Sequence, residues 1–376
     1  MNPSLIFIAL ALFTWGMGES MFVYFQSIYL SQLGANPVAI GSILGAMGLM
    51  MMVSHIPAGH LSDRIGRRPL LIAGWITGVV ATALMALAAS LPLFIAGLLL
   101  YGSTAFIMSP LNSYVTAARG GWSISRTLSL VSATFGFGSV LGPLTGGWIG
   151  DHYGLRLVFA IATGIFVLST VLLLFIRPQP RDQHDPDAPP VRLLRNLRYL
   201  GFIALVFAVT FSLYLPQPLT PNFLQEQRGL SLGQIGLLGT VAVLGNAVIT
   251  LSIGSLLSAR AGLVLGQILT AGFSLLIWRT TGLPSFAVAY FILGGFRAAG
   301  PMMAAQAREL VHQSQMGLAY GMNETVRALA LTLAPFAAGL LYHRAPDLMY
   351  PVSIAAIAVS LALTLIFARP GRGENA

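Results

Sequence analysis

Gly59-His60-Leu61-Ser62-Asp63-Arg64-Ile65-Gly66-Arg67-Arg68-Pro69 carries four charges in eleven residues, in a chain where charged residues make up only 8%. Apolar runs flank it on both sides, residues 38–58 and 70–89. A polar break between two membrane-length segments belongs at a membrane surface, because hydrocarbon cannot solvate it. The fold follows from extending that pattern to the rest of the chain.

Of 376 residues, 56% are hydrophobic, and the mean hydropathy is +0.80. A water-soluble fold lacks the interior to bury that much apolar surface, so part of the solvent is lipid. The net charge of +9 would suggest nucleic acid in a soluble protein. Here the basic residues are scattered through short loops with no interleaved aromatics, and a nucleic-acid partner is excluded. All 20 basic residues are arginine, and there is no cysteine. Disulfides, thiolate metal sites and cysteine catalysis are therefore excluded. Residues 1–30 have the apolarity of a signal peptide but neither its basic start nor its cleavage site, and read as a first membrane helix.

A spanning helix needs about 20 mainly apolar residues. Twelve segments qualify: 4–27, 37–58, 70–89, 91–117, 127–149, 157–176, 199–220, 233–257, 263–281, 285–306, 318–342 and 348–367. Most loops are very short. Residues 177–198, rich in Pro, Asp and Arg, read as a solvated cytoplasmic linker between an N-terminal six-helix bundle (1–176) and a C-terminal one (199–376). The expected class is an all-α integral membrane protein. Fourteen arginines fall on the side of the even-numbered loops and the C-terminus, four on the other side, and two, Arg297 and Arg327, inside segments. The positive-inside rule places the first side, with both termini, in the cytoplasm, and the expected location is the plasma (inner) membrane.

The halves also repeat. Tyr29-Leu30 matches Phe223-Leu224, Ile40-Gly41 matches Ile235-Gly236, and Gly142-Pro143 with Gly147 matches Ala334-Pro335 with Gly339. Gly59 aligns with Gly254, with Ser258 and Arg260 standing where the first half has Asp63 and Arg64. An ordered series at a nearly constant offset is a parallel duplication, which implies two six-helix bundles related by an axis along the membrane normal.

The chain at this point resembles the major facilitator superfamily of secondary transporters over essentially its full length. Gly59, Asp63, Arg64, Gly66, Arg67 and Arg68 are similar to that family's signature between its second and third helices. Gly138, Gly142, Pro143, Gly146 and Gly147 in the fifth helix resemble the motif of the drug–proton antiporter branch. A third signature, an arginine four residues before a glycine in the fourth helix, is absent: with Gly102 as that glycine, the place holds Leu98. The resemblance implies that the first and tenth helices line a central cavity. It also implies that Asp63 holds the bundles together on the cytoplasmic side while the cavity faces outward.

Glu19 lies about fifteen residues into the first segment, roughly 22 Å along a helix axis at 1.5 Å per residue. A carboxylate near the bilayer centre is costly when ionised, so it is paired, wet or protonated. It is either a proton or cation site or the structural partner of a buried arginine. Arg297 and Arg327 are the candidate partners, since each needs an anion, a carbonyl or water. Glu324 sits three residues before Arg327, on one helical face, and can pair with it. Arg297 has no acid nearby in sequence, and either holds an anionic substrate or answers Glu19. His55 either titrates or hydrogen-bonds within its bundle. Trp15, Phe22, Tyr101, Asn112 and Tyr214, together with Arg297, Glu324 and Arg327, are the substrate-cavity candidates. For the glycines of the fifth helix, close helix packing is the simpler role. The sharper one is that Pro143 bends the helix and seals one cavity entrance. Pro216, Pro218 and Pro221 should break the end of the seventh helix.

No P-loop, Ser/His/Asp grouping or metal-ligand cluster stands out, so the chain is not expected to be an enzyme or to need a cofactor. The expected function is alternating-access transport, with proton-coupled efflux of small amphipathic or lipophilic compounds by a monomer. Uptake or exchange of a small organic anion or sugar-like solute is the alternative. A non-transporting sensor on the same fold is a third reading.

Overall fold

The computed structural model describes residues 2–179, 197–310 and 316–367, and only the backbone of residues 55–64, 124–125, 197, 253–255, 301, 304–305, 307–310 and 316–320. The described residues are almost wholly helical. The first half runs α1 (Pro3–Val23), α2 (Gln26–Gln32), α3 (Pro37–Ile65), α4 (Arg67–Leu87), α5 (Leu91–Ser103), a 3-10 turn (Thr104–Ile107), α6 (Met108–Ala118), α7 (Ile124–Tyr153) and α8 (Leu155–Leu174). The second half runs α9 (Leu197–Tyr214), α10 (Thr220–Glu226), α11 (Leu232–Leu256), α12 (Ala259–Arg279), α13 (Leu283–Ile292), α14 (Gly294–Leu310), α15 (Met316–Arg344) and α16 (Met349–Phe367). Eleven spans among the described residues are long and apolar enough to cross a membrane, and Arg198–Tyr214 is a shorter apolar helix that makes the twelfth.

That seventh span is short because proline stops it. Leu215 donates to Phe211, but Pro216 and Pro218 have no N–H to continue the ladder, and Gln217 and Thr220 turn the chain into α10. The corresponding first span breaks at Tyr24-Phe25 between α1 and α2. The fourth and tenth spans are interrupted as well, by the 3-10 turn before α6 and by Leu293 before α14.

The chain forms two compact units. Unit 1 comprises Met1–Ala35, Ala46–Asp185 and Gly229–Thr240; unit 2 comprises Asn36–Gly45, Pro186–Arg228 and Val241–Ala376. Inside unit 1, α1 packs along α7 and α8, and α4 along α8 and α5. Inside unit 2, α9 packs along α15 and α16, and α12 along α16, α13 and α14. Reading the seventh to twelfth spans as copies of the first six, the pairings are the same.

Two nodes show that likeness at atomic scale. In unit 1 the indole Nε1 of Trp75 donates to Ser169 Oγ at 2.9 Å, and that hydroxyl donates to the Ala11 carbonyl at 2.6 Å. In unit 2 Gln267 stands 192 residues after Trp75, and Ser360 stands 191 after Ser169. Ser360 Oγ donates to Gln267 Oε1 at 2.8 Å, and Gln267 Nε2 donates to Thr364 Oγ1 at 2.9 Å. These side chains are fully buried, where an unmade hydrogen bond would be expensive. The second node caps helices. Arg68 Nη2 donates to the carbonyl of Leu174, the last residue of α8, at 3.1 Å. Arg260 Nη2 donates to the carbonyl of Leu365, near the end of α16, at 2.7 Å. A cation at a helix C-terminus meets the orphan carbonyls and the negative end of the dipole.

These contacts correct the reading of the charged hinge. α3 stays helical through Ile65, and Gly66 alone, with φ +90°, makes the reversal into α4. A side chain disfavours that φ, whereas residues 59–65 contain nothing that must end a helix. Charge stopped the span without stopping the helix. The register of the second copy also shifts. α4 and α12 both have 21 residues, and their starts, Arg67 and Ala259, lie 192 residues apart. Ser258 therefore takes the place of Gly66, and Arg260 that of Arg68, one helical turn from the positions of Asp63 and Arg64. As a cap, Ser258 accepts from the Ala261 amide at 3.3 Å.

Candidate functional site

Glu19 and Trp15 are four residues apart on α1 and so share a face. The Trp15 indole donates to Glu19 Oε2 at 3.1 Å. Tyr101, from the last turn of α5, also hydrogen-bonds the Glu19 carboxylate. The rings around the acid interlock. Trp15 packs on Trp75 at 4.9 Å and on Phe166 at 4.2 Å, and Phe22 meets Tyr101 edge-on at 5.2 Å. Trp15, Phe22 and Tyr101 are all buried inside unit 1, whereas Glu19 is only half-buried. The aromatic residues thus form a rigid backing that presents the carboxylate. Glycine makes room for it: a Cβ on Gly18 would meet the ring of Phe166 at 2.9 Å.

α7 brings the fifth-helix motif against α1. Side chains on Gly138, Gly142 and Gly146 would run into the carbonyls of Phe13, Met17 and Met21, one turn after another. Gly147 turns to another neighbour, the start of α11, where its Cβ would meet the Leu232 carbonyl at 2.5 Å. α7 remains one helix through Pro143, whose own carbonyl lies against Gly236. The motif is a two-sided packing strip, α1 on one edge and residues 232–236 on the other.

Unit 2 gathers the two arginines read inside segments. Arg327 Nη1 contacts both carboxylate oxygens of Glu324, at 2.8 and 3.1 Å, so the pair expected from the spacing of three is present. The Arg327 guanidinium lies against Gly300 of α14, where an added Cβ would sit 3.0 Å from Nη2. Arg297, one turn earlier on α14, is exposed and lies within electrostatic reach of the Tyr214 hydroxyl. Tyr214 stacks on Phe296 with centroids 5.7 Å apart. Asn323, beside Glu324, is 1% exposed, and neither atom of its amide has a partner among the described residues. Asn112 is exposed on α6.

The structure therefore groups Trp15, Phe22 and Tyr101 with Glu19, and Tyr214 with Arg297. The side chains of His55, Gly59, Asp63 and Arg64 lie outside the described residues, whereas Arg67 and Arg68 are seen and hold the end of α8 and its continuation, Arg67 through Gln179 at 3.0 Å. Sequence reasoning missed Gln267 and Ser360. The constant offset from Trp75 and Ser169 would have found them.

Known proteins agree with this architecture. The family model of the Major Facilitator Superfamily matches residues 8–216 and again 202–375. The chain belongs to that superfamily of transporters. It is 24% identical over 370 residues to multidrug resistance protein 2 of Bacillus subtilis, covering 93% of this chain and 92% of that one. It is 27% identical over 292 residues to the class C tetracycline resistance protein of Escherichia coli, covering 73% and 74%. Among solved structures, the nucleoside transporter NupG superposes with a TM-score of 0.78 at 12% identity, covering 98% of this chain and 98% of that one. The human organic anion transporter MFSD10 gives 0.68 at 17% identity, covering 96% and 99%. At such identities these structures speak for the fold alone.

Proposed function

We propose that this multi-pass membrane transporter exports small amphipathic or lipophilic compounds by alternating access, driven by protons that load and leave Glu19. One observation carries the reading: an acid in a spanning helix, backed by buried aromatic rings and held by two neutral donors, Trp15 and Tyr101. These two donors hold the carboxylate without carrying a charge of their own, and an acid in such surroundings is a candidate for exchanging a proton or a cation. The multidrug and tetracycline resistance relatives support the substrate class. The 14-arginine face supports an orientation with both termini in the cytoplasm, for a protein in the inner membrane. In proteoliposomes, an imposed proton gradient should drive movement of a lipophilic fluorescent cation such as ethidium. Glu19→Gln should abolish the dependence on the gradient while leaving ethidium binding within about threefold. Unchanged coupling in that variant would sink the assignment.

Arg297 favours a second reading, uptake or exchange of an organic anion. Glu324 pairs with Arg327, whereas Arg297 is exposed and lies within electrostatic reach of the Tyr214 hydroxyl. If Arg297→Ala leaves the transport of every tested aromatic carboxylate unaltered, that reading fails.

A further inference from the structure

The end of α7 grips the start of α11 through a single carboxylate. Asp151 Oδ1 accepts the Leu232 amide at 2.7 Å, and its Oδ2 accepts the Gly233 amide and the Ser231 hydroxyl, each at 2.7 Å. α11 already has a capping box of its own. Ser231 Oγ accepts the Gln234 amide at 3.2 Å, and Gln234 Oε1 accepts the Ser231 amide at 3.0 Å. That box leaves the amides of Leu232 and Gly233 without partners, and those two are the ones that Asp151 takes. The negative carboxylate also faces the positive end of the helix dipole. Gly233 is needed for the approach, since a Cβ there would stand 2.7 Å from Asp151 Oδ2. Gly147 and Gly150 carry the same contact inward along α7 to Leu232.

The other copy lacks this device. α15 meets the start of α3 through Gly339 and Gly41, as α7 meets α11 through Gly147 and Gly236. Yet α3 is capped by its own Asn36, which accepts the Ala39 amide at 2.8 Å. A residue matching Asp151 would fall near the end of α15, where the chain has His343 and Arg344.

We propose that Asp151 is a latch: its carboxylate completes the first turn of α11 only while α7 and α11 are together, and so sets how long the transporter dwells in the conformation seen here. The proposal rests on the alternating-access reading only for its part in transport, since the latch itself is a property of one contact. Opening it leaves two amides to water and breaks the charge-assisted bonds that Asp151 makes to them.

The absence of cysteine allows label pairs to be introduced without first removing any native thiol. One spin-label pair at Tyr153 and Gln234, whose replacement removes the acceptor of the Ser231 amide equally from every sample, reports the latch, and a second at Leu144 and Leu237 reports the same crossing about two turns further along α7; all four side chains are exposed. In reconstituted wild type, both pairs should give one dominant distance. Asp151→Ala and Gly233→Ala should each raise the population of longer distances in both pairs by about tenfold, with Asp151→Asn in between because its amide oxygen still accepts one bond. Identical distributions in all three variants overturn the proposal. So does lengthening at the outer pair alone, which reports only fraying of the α11 start. The distances are read without substrate, so a latch that opens as described in a protein that moves no substrate would count against the transport reading and not against Asp151.

Discussion

Buried hydrogen bonds that cross between helices decide which single residues matter most for stability. Ser360 donates to Gln267 and meets Ser212 Oγ at 3.1 Å, joining α16, α12 and α9. Ser360→Ala leaves the side-chain carbonyl of Gln267 unmatched in a fully buried site, and should cost about 1–2 kcal/mol. Thermal unfolding in detergent would show it. Gln267→Met combined with Ser360→Ala should cost less than the two single changes together, because the orphaned partner disappears with the second substitution. The sequence exposed Glu19, Arg297, Glu324 and Arg327 readily, because a charge is conspicuous among apolar neighbours. It hid Gln267 and Ser360, because uncharged polar side chains are common in spanning helices and their use depends on what lies opposite. It also left the direction of Trp15 and Tyr101 open. A ring's position on a helix does not say whether the helix face is lined or covered until the packing partner, here Phe166 and Trp75, is known.

Among the elements, α7 shows how finely helix approach is set. Gly138 sits against the Phe13 carbonyl of α1, whereas Gly136, two residues earlier, has nothing within 4 Å of an added Cβ. Gly138→Ala should force α1 and α7 apart and lose about 1–3 kcal/mol. Gly136→Ala should be neutral or gain up to about 1 kcal/mol from helix propensity. Equal effects in the two variants, by melting temperature, would contradict the packing strip. The existence of the spans was legible, because about 20 apolar residues in a row leave few alternatives. Their ends were less so. A helix extends past the membrane for as long as its residues permit, so α3 outran its apolar run and the hinge shrank to Gly66. At the seventh span the prolines gave the break directly, since a missing N–H is a local fact needing no tertiary contact.

At the scale of the whole chain, duplication is the strongest signal, and the structure sharpens its register. Arg68 and Arg260 hold equivalent carbonyls, at Leu174 and Leu365. Arg68→Ala and Arg260→Ala should therefore destabilise the protein by similar amounts, each about 0.3–2 kcal/mol as for half-buried cations at helix C-termini, read as similar falls in melting temperature. A loss confined to one would mean that only one copy still relies on the cap. Motif comparison slipped by one turn here because Ser258 and Arg260 follow the same order as Asp63 and Arg64, and order alone does not fix spacing.

The make-up of unit 1 has a consequence for biosynthesis. Most of this unit is in hand once Asp185 has been added, yet it also contains Gly229–Thr240. Until that segment leaves the ribosome, Gly147 has no α11 to pack on and Asp151 no amides to hold. At about 5–20 residues per second the unit waits a few seconds, uncovered along one edge of α7. Residues Asn36–Gly45 wait far longer, because their partners Thr332, Pro335 and Gly339 are among the last to be made. A nascent chain arrested shortly after residue 228 should therefore expose the inner edge of α7 to protease or to a cysteine-directed label placed at Gly150, which is buried and lies against Leu232 in the finished unit. One arrested with the α11 start fully emerged should protect it.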